Sequence, residues 1–295
     1  MSPIRNTLRF VLIGTVIIIA PILSCDPNWL DNDEDTVPIR ILVFGNSFSN
    51  DAVNQNLVEL FNAAGYAAVI GNLSLSGASL QTHWNNYLND EHSYYYYKIS
   101  KKGQRIKLNY SIENAIADEE WNFASFQQVS HLAGDYSSVK PYLDSLLCLV
   151  DREYNSISHL WFQTWAYASD SSHPQFFRYN NNQELMYNRV MDASESIIST
   201  YKIDKIIPCG TAIQNARTSY LQDGLTRDGY HLEKNYGRYI AACTWFEAIT
   251  GETVVGNPYY PTNMNKELAL LCQLAAHYAC ESPFSVSPML DFNSR

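Results

Sequence analysis

The chain has 295 residues, 46% hydrophobic and 13% aromatic, with 20 Lys+Arg against 30 Asp+Glu for a formal net charge of −10. An acidic balance of this size argues against nucleic acid as a partner, because phosphate backbones are held by clustered Lys and Arg. The six cysteines are scattered and show neither a disulfide framework nor a Cys-x-x-Cys metal site.

At the N-terminus, Arg5 and Arg9 precede an apolar run from Phe10 to Leu23, interrupted by Gly14 and Pro21 and ending Ile22-Leu23-Ser24-Cys25. The run is short for a membrane span, and small or apolar residues directly before a cysteine are what lipoprotein signal processing reads. Residues 1–24 are therefore expected to be a signal peptide, and Cys25 a lipidation site that anchors the protein in the bacterial cell envelope. An uncleaved anchor or an ordinary signal peptide is the alternative, and either also puts the domain outside the cytoplasm. Residues 25–37, with Asp31-Asn32-Asp33-Glu34-Asp35, read as an acidic tether that could serve as a surface-export address. Residues 38–295, about 260 positions, suffice for one domain with a single core.

From Pro38 onward strands and helices alternate. Ile39 to Phe44 is a continuous apolar strand, Val53 to Ala64 a helical pattern closed by Gly65, and Ala67 to Leu75 a second strand running into Ser76-Gly77. Tyr94 to Ser100 and Arg105 to Tyr110 alternate in period two around Lys101-Lys102-Gly103-Gln104 and read as a β-hairpin excursion. Its tyrosines fit packing on a half-buried sheet or, alternatively, an aromatic platform for a sugar face. Further on, Ile112 to Glu119 is a helix, Phe123 to Gln127 a strand, Val139 to Glu153 a helix with Pro141 in its first turn, and His159 to Gln163 a strand. Gln183 to Tyr201 is a long helix, Lys205 to Pro208 a short strand, Asn235 to Thr250 a helix stopped by Gly251, and Lys266 to Ala279 a last helix. This alternation predicts an α/β protein, a parallel sheet covered on both faces, with no repeat and no second domain.

Functional groups of such sheets gather outside the carboxyl ends of the strands. Four segments fall there: Gly45-Asn46-Ser47, Ser76-Gly77-Ala78-Ser79, Gln127-Gln128-Val129-Ser130, and the loop holding Asp228-Gly229-Tyr230-His231. A serine hydroxyl is a poor nucleophile until an imidazole takes its proton and a carboxylate fixes the tautomer of that imidazole. Ser47 alone fits a helix N-cap or turn, and His231 alone a structural histidine; together with Asp228 they point to a serine esterase. His83 competes as base but has no neighbouring carboxylate before Asp90. His83, Trp84 and Trp165 are expected to line the pocket, with Tyr167 and His173 at the same rim. Arg217 and Arg227 suit a substrate carboxylate or ion pairs with acidic side chains. No His-x-His, His-Glu-x-x-His or clustered Cys/His spacing supports a metal centre, and Gly45-Asn46-Ser47-Phe48 lacks the other glycines and the lysine of a phosphate loop.

The Gly45-Asn46-Ser47 block, Gly77 after the second strand, and Asp228-x-x-His231 before a C-terminal helix resemble the SGNH (GDSL-type) hydrolase superfamily. His83-Trp84-Asn85-Asn86, Phe162 to Tyr167, Gly210 to Arg217 and Thr226 to Leu232 are similar to a poorly characterised, bacterial, lipoprotein-like branch of it, over about residues 38 to 281. The resemblance implies a flavodoxin-like three-layer α/β/α fold and ester hydrolysis through an acyl-serine, with Ser47 as nucleophile, His231 as general base and then acid, and Asp228 orienting the imidazole. No cofactor is implied. The N–H groups of Ser47 and Gly77 would form the oxyanion hole. The superfamily's asparagine within Gly-x-Asn-Asp is absent, and Phe126-Gln127-Gln128-Val129-Ser130 stands there instead. Gln128 is the expected replacement donor and Gln127 the next choice or a substrate contact, since neighbouring strand residues face opposite ways; as a polar pair capping a strand end they would do neither. The expected function is an exported serine esterase removing short acyl groups, acetyl foremost, from carbohydrate. The alternative is a cell-surface glycan-binding lipoprotein on the same fold without turnover.

Overall fold

Ile41, Leu42, Val43 and Phe44 are all fully buried, and alternate members enter different cores: Ile41 and Val43 one, Leu42 and Phe44 the other. A strand covered on both faces has no polar side to show, which is why the segment is continuously apolar. The computed structural model describes residues 37–154 and 156–293. The expected signal peptide, Cys25 and all of the tether but Val37 lie outside the described residues.

One sheet of seven strands organises the domain: β1 (Ile39–Gly45), β2 (Ala68–Ser74), β3 (Tyr94–Ser100), β4 (Gly103–Tyr110), β5 (Phe123–Phe126), β6 (Ser158–Phe162) and β7 (Lys205–Ile207), in the order β4-β3-β2-β1-β5-β6-β7. The run β2-β1-β5-β6-β7 is parallel throughout. That is the flavodoxin-like order, and its topological switch point lies between β1 and β5, where a crevice opens at the carboxyl ends of the strands.

The hairpin departs from the strand–helix alternation and extends the sheet. β3 pairs antiparallel with β2, and β3 with β4, so the sheet simply continues by two edge strands. Tyr94, Tyr96 and Ile99 are buried, and the Tyr96 hydroxyl donates to Asp118 at 2.8 Å. Gly71 of β2 makes room for this packing: a Cβ there would stand 2.5 Å from both the Tyr96 hydroxyl and the Trp121 ring.

The helices are α1 (Ser47–Val53), α2 (Leu57–Ala63), α3 (Leu80–Leu88), α4 (Ile112–Ile116), α5 (Tyr142–Glu153), α6 (Gln183–Thr200), α7 (Cys209–Arg217), α8 (Tyr236–Thr250) and α9 (Lys266–Glu281). Helices α1, α2, α7, α8 and α9 pack on the Ile41/Val43 face, α3, α4 and α5 on the other, and α6 contributes to both cores. The result is three layers, α/β/α. Where one helix is expected from Val53 to Ala64, α1 already ends at Val53 and only the short α2 follows, because Asn56 takes φ +67° and breaks the ladder between them. Helices α3 and α7 escape sequence reading for opposite reasons. In α3 only Leu80 and His83 are buried, so hardly any apolar stripe exists; α7 is buried on nearly every side and has no polar face to set a period. The five described cysteines are free, and among the described residues no helix is long and apolar enough to cross a membrane.

Candidate active site

The first turn of α1 begins directly at the end of β1. Asn46 caps it: its side-chain carbonyl accepts the Phe48 N–H at 2.9 Å. Ser47 is consequently the first helical residue, its hydroxyl not needed for capping and its own N–H among the amides that a helix start leaves without an intrahelical acceptor. The bland reading of Ser47 as the cap is thereby replaced by Asn46.

Asp228 to His231 form a self-contained unit. One carboxylate oxygen of Asp228 accepts the N–H groups of Tyr230 (3.2 Å) and His231 (2.7 Å), and the other lies 2.7 Å from His231 Nδ1. Gly229, at φ +86°, permits the tight turn, and its missing Cβ avoids Ser171 Cα at 2.9 Å. Burial by itself would raise the Asp228 pKa, but the hydrogen bonds from the His231 ring and from the two amides outweigh it and hold the carboxyl below its ordinary range. The remaining imidazole nitrogen, Nε2, is 2.9 Å from Ser47 Oγ, across 184 positions of sequence. Hydroxyl, imidazole and carboxylate thus stand in one hydrogen-bonded line, with the carboxylate fixing the tautomer that leaves Nε2 free to accept.

Asp51 locks that line together. It is one turn past Ser47 on α1 and 1% exposed, and it accepts the Leu232 N–H (2.9 Å) while pairing with Arg227 (2.9 Å) and Arg238 (2.7 Å). The loop carrying His231 is in this way tied to the helix carrying Ser47. Nothing in the sequence marks Asp51, since its partners are remote. Arg227 is accounted for by this ion pair, and Arg217 by Asp223 at 3.0 Å.

A cleft of about 270 Å³ opens over Ser47. Strand ends β1, β2 and β5 supply Ser47, Gly77, and Ser130 with His131; the loop after β6 supplies His173, and the turn before α8 supplies Tyr230. Burial first, and then the neighbouring His231, hold His173 below the ordinary histidine range; burial, Arg178 and His173 do the same for His131. Both rings are therefore neutral near pH 7 and present one donor and one acceptor each.

Of the residues expected to bind substrate or the oxyanion, Gln127, Gln128, His83, Trp84, Trp165 and Tyr167 do not line this cleft. Gln128 is engaged elsewhere: its carbonyl accepts the N–H groups of Leu80 (3.2 Å) and Val129 (2.8 Å), and its amide donates to Ser138 Oγ (3.0 Å). Gln127 donates to Asn46 Oδ1 at 2.9 Å, inside the protein. His83 is fully buried with Nδ1 on the Tyr94 hydroxyl, and Trp84 packs against Tyr87 over the second core. Trp165 lies behind the cleft: it stacks on Phe48 at 4.4 Å and donates to the Tyr230 carbonyl at 2.7 Å, bracing both the serine helix and the histidine turn. Most buried polar atoms find partners, and for the Gln127 and Gln128 amide N–H groups those partners are structural. Among the described residues no group of three or more His, Cys, Asp or Glu side chains is placed to hold a metal ion.

The chain belongs to the DUF4886 family, described as a domain of unknown function, whose model matches residues 40–279. It is 42% identical to a DUF4886 family protein from Bacteroides uniformis, whose crystal structure matches 87% of this chain and 100% of that one with a TM-score of 0.85. More remote solved structures include a candidate SGNH hydrolase from Slackia heliotrinireducens, 17% identical with a TM-score of 0.49 over 72% of this chain and 100% of that one. Another is a candidate GDSL-like lipase from Parabacteroides merdae, 13% identical with a TM-score of 0.48 over 72% of this chain and 96% of that one. No curated protein sequence matches the chain.

Proposed function

We propose that this DUF4886 protein is an exported serine esterase that removes short acyl groups, acetyl foremost, from carbohydrate through an acyl-serine intermediate. The observation carrying this reading is the 2.9 Å contact of Ser47 Oγ with His231 Nε2, continued at 2.7 Å from Nδ1 to Asp228. In the first half-reaction His231 takes the Ser47 proton as Oγ attacks the ester carbonyl, and returns it to the departing alkoxide. In the second it activates water against the acyl-serine. The N–H groups of Ser47 and Gly77 face the developing oxyanion, each donor contributing about 10²–10³ in rate.

The cleft supports a small acyl group on a carbohydrate alcohol as the substrate. About 270 Å³ falls just below the roughly 300–1,000 Å³ of pockets that enclose a drug-sized ligand, which suits a small acyl group at the serine with the alcohol portion at the rim. Neutral His131 and His173 with Tyr230 provide the donor, acceptor and ring surfaces that sugar hydroxyls and sugar faces use. Export and lipid anchoring at Cys25 rest on the leader sequence and are tested by protease accessibility on intact cells; complete protection would rule out surface display.

Purified residues 26–295 should hydrolyse an aryl acetate in the presence of EDTA and be labelled at Ser47 by a fluorophosphonate. Ser47→Ala should cost more than about 10⁴ in kcat while changing stability by less than about 1 kcal/mol, because Asn46 does the capping. A folded protein that neither labels nor turns over ester would instead be the glycan-binding lipoprotein.

A further inference from the structure

On the β5 side of the cleft one hydroxyl has a proton that no group among the described residues receives. Tyr167 is fully buried and does not line the cleft, and burial pushes its phenol well above the ordinary tyrosine range, so it stays protonated. Among the described residues its hydroxyl has one hydrogen-bond partner, Ser130 Oγ at 2.7 Å. A buried donor with a single acceptor in reach gives its proton to that acceptor, because a buried unmade hydrogen bond is costly. Ser130 Oγ therefore accepts from Tyr167, and its own O–H must point elsewhere. Ser130 lines the cleft with Ser47 and Gly77, and the cleft is the direction left to it.

Sheet order places these groups on neighbouring strand ends. β1 lies between β2 and β5, so Ser47 stands between the Gly77 turn on one side and Ser130 on the other. We propose that Ser130, oriented by Tyr167, is a side-chain donor of the oxyanion hole, in the place that Gln127 and Gln128 leave unfilled. When Ser47 Oγ bonds to the ester carbon, the carbonyl π pair moves onto oxygen and the Ser47 proton passes to His231 Nε2. Ser130 hydrogen-bonds that oxygen and keeps its own proton. On collapse the carbonyl re-forms, the bond to the alkoxide breaks, and His231 returns the proton. Receiving a hydrogen bond from Tyr167 polarises the Ser130 hydroxyl and makes it a better donor. This rests on the serine-esterase reading.

The test compares wild type, Ser130→Ala, Ser130→Thr and Tyr167→Phe on two acetate esters, one with an aryl and one with a sugar leaving group. Ser130→Ala should lower kcat by about 10²-fold on both esters alike, with KM within about threefold. Ser130→Thr, which keeps the hydroxyl, should recover most of the loss, and Tyr167→Phe should lower kcat in the same direction by less. Unchanged kcat in Ser130→Ala overturns the proposal. So does a loss confined to the sugar ester, which would put Ser130 on the leaving group, or a folded Ser130→Thr as slow as alanine. If Ser130→Ala does not fold, Tyr167→Phe decides, and wild-type kcat there overturns the assignment. A wild type that hydrolyses neither ester defeats the esterase reading itself, whereas an active wild type with an unaffected Ser130→Ala defeats only the role of Ser130.

Discussion

The α3 segment and the Asp228–His231 turn each present a histidine near a strand end, yet they use the imidazole in opposite ways. In the turn, both ring nitrogens of His231 are engaged, Nδ1 with Asp228 and Nε2 with Ser47. In α3, His83 is fully buried, lies parallel to the Tyr94 ring at 5.6 Å, has no partner for Nε2 among the described residues, and burial pushes its pKa down to about 3. With that pKa the ring stays neutral at working pH and does not take up the second proton that a general base must accept. The lesson is that a carboxylate at fixed local spacing, rather than nearness to a motif, separates a base from a packing residue.

The sharpest way to break this contrast is Asp228→Asn. The amide oxygen can still accept the two turn N–H groups, so the loop keeps its shape, but the tautomer control is lost; kcat should fall about 10³–10⁴-fold, measured on an aryl acetate. Retained activity would mean that the carboxylate is not what distinguishes His231. A smaller effect is expected from Asp51→Asn, which weakens two ion pairs and loosens the histidine turn from α1. Stability should drop by about 3 kcal/mol in denaturant unfolding and kcat by about tenfold, because misplacement of a reacting group is costly. Full activity would show that the turn holds its position without Asp51.

His83→Gln should have the least effect on chemistry, with kcat per folded molecule within about twofold. Its signature lies in stability against pH. The folded pKa of about 3 is below the unfolded value of about 6.5, so between those values the unfolded chain binds the extra proton and stability rises with pH by up to about 1.4 kcal/mol per unit. Wild type should lose this contribution as pH falls through that window, and His83→Gln should show a flatter dependence. Equal slopes would return His83 to the solvent-accessible, titrating class.

Much of the layout was legible in the residues. The apolar run of β1, the strand–helix alternation and the Asp-x-x-His spacing are local patterns, and local patterns have local causes: Asp228 takes the amides two and three positions ahead of it, whatever the rest of the chain does. Reading stopped where partners are distant. Gln128 is chemically able to donate to an oxyanion, but Leu80, Val129 and Ser138 claim its amide. Trp165 occurs in a segment correctly placed after β6, yet it braces the cleft from behind. The break between α1 and α2 turns on a single asparagine in left-handed conformation, which no hydrophobic period announces.

The amino-acid order alone thus determined a doubly covered sheet and a carboxylate–imidazole pair, since burial of alternate faces and hydrogen bonds within one turn depend only on near neighbours. Tertiary structure decided which side chains reach the cleft. At the end of a strand the chain is free to turn, and each polar group there faces inward or outward according to whether a distant segment supplies the partner that its burial demands.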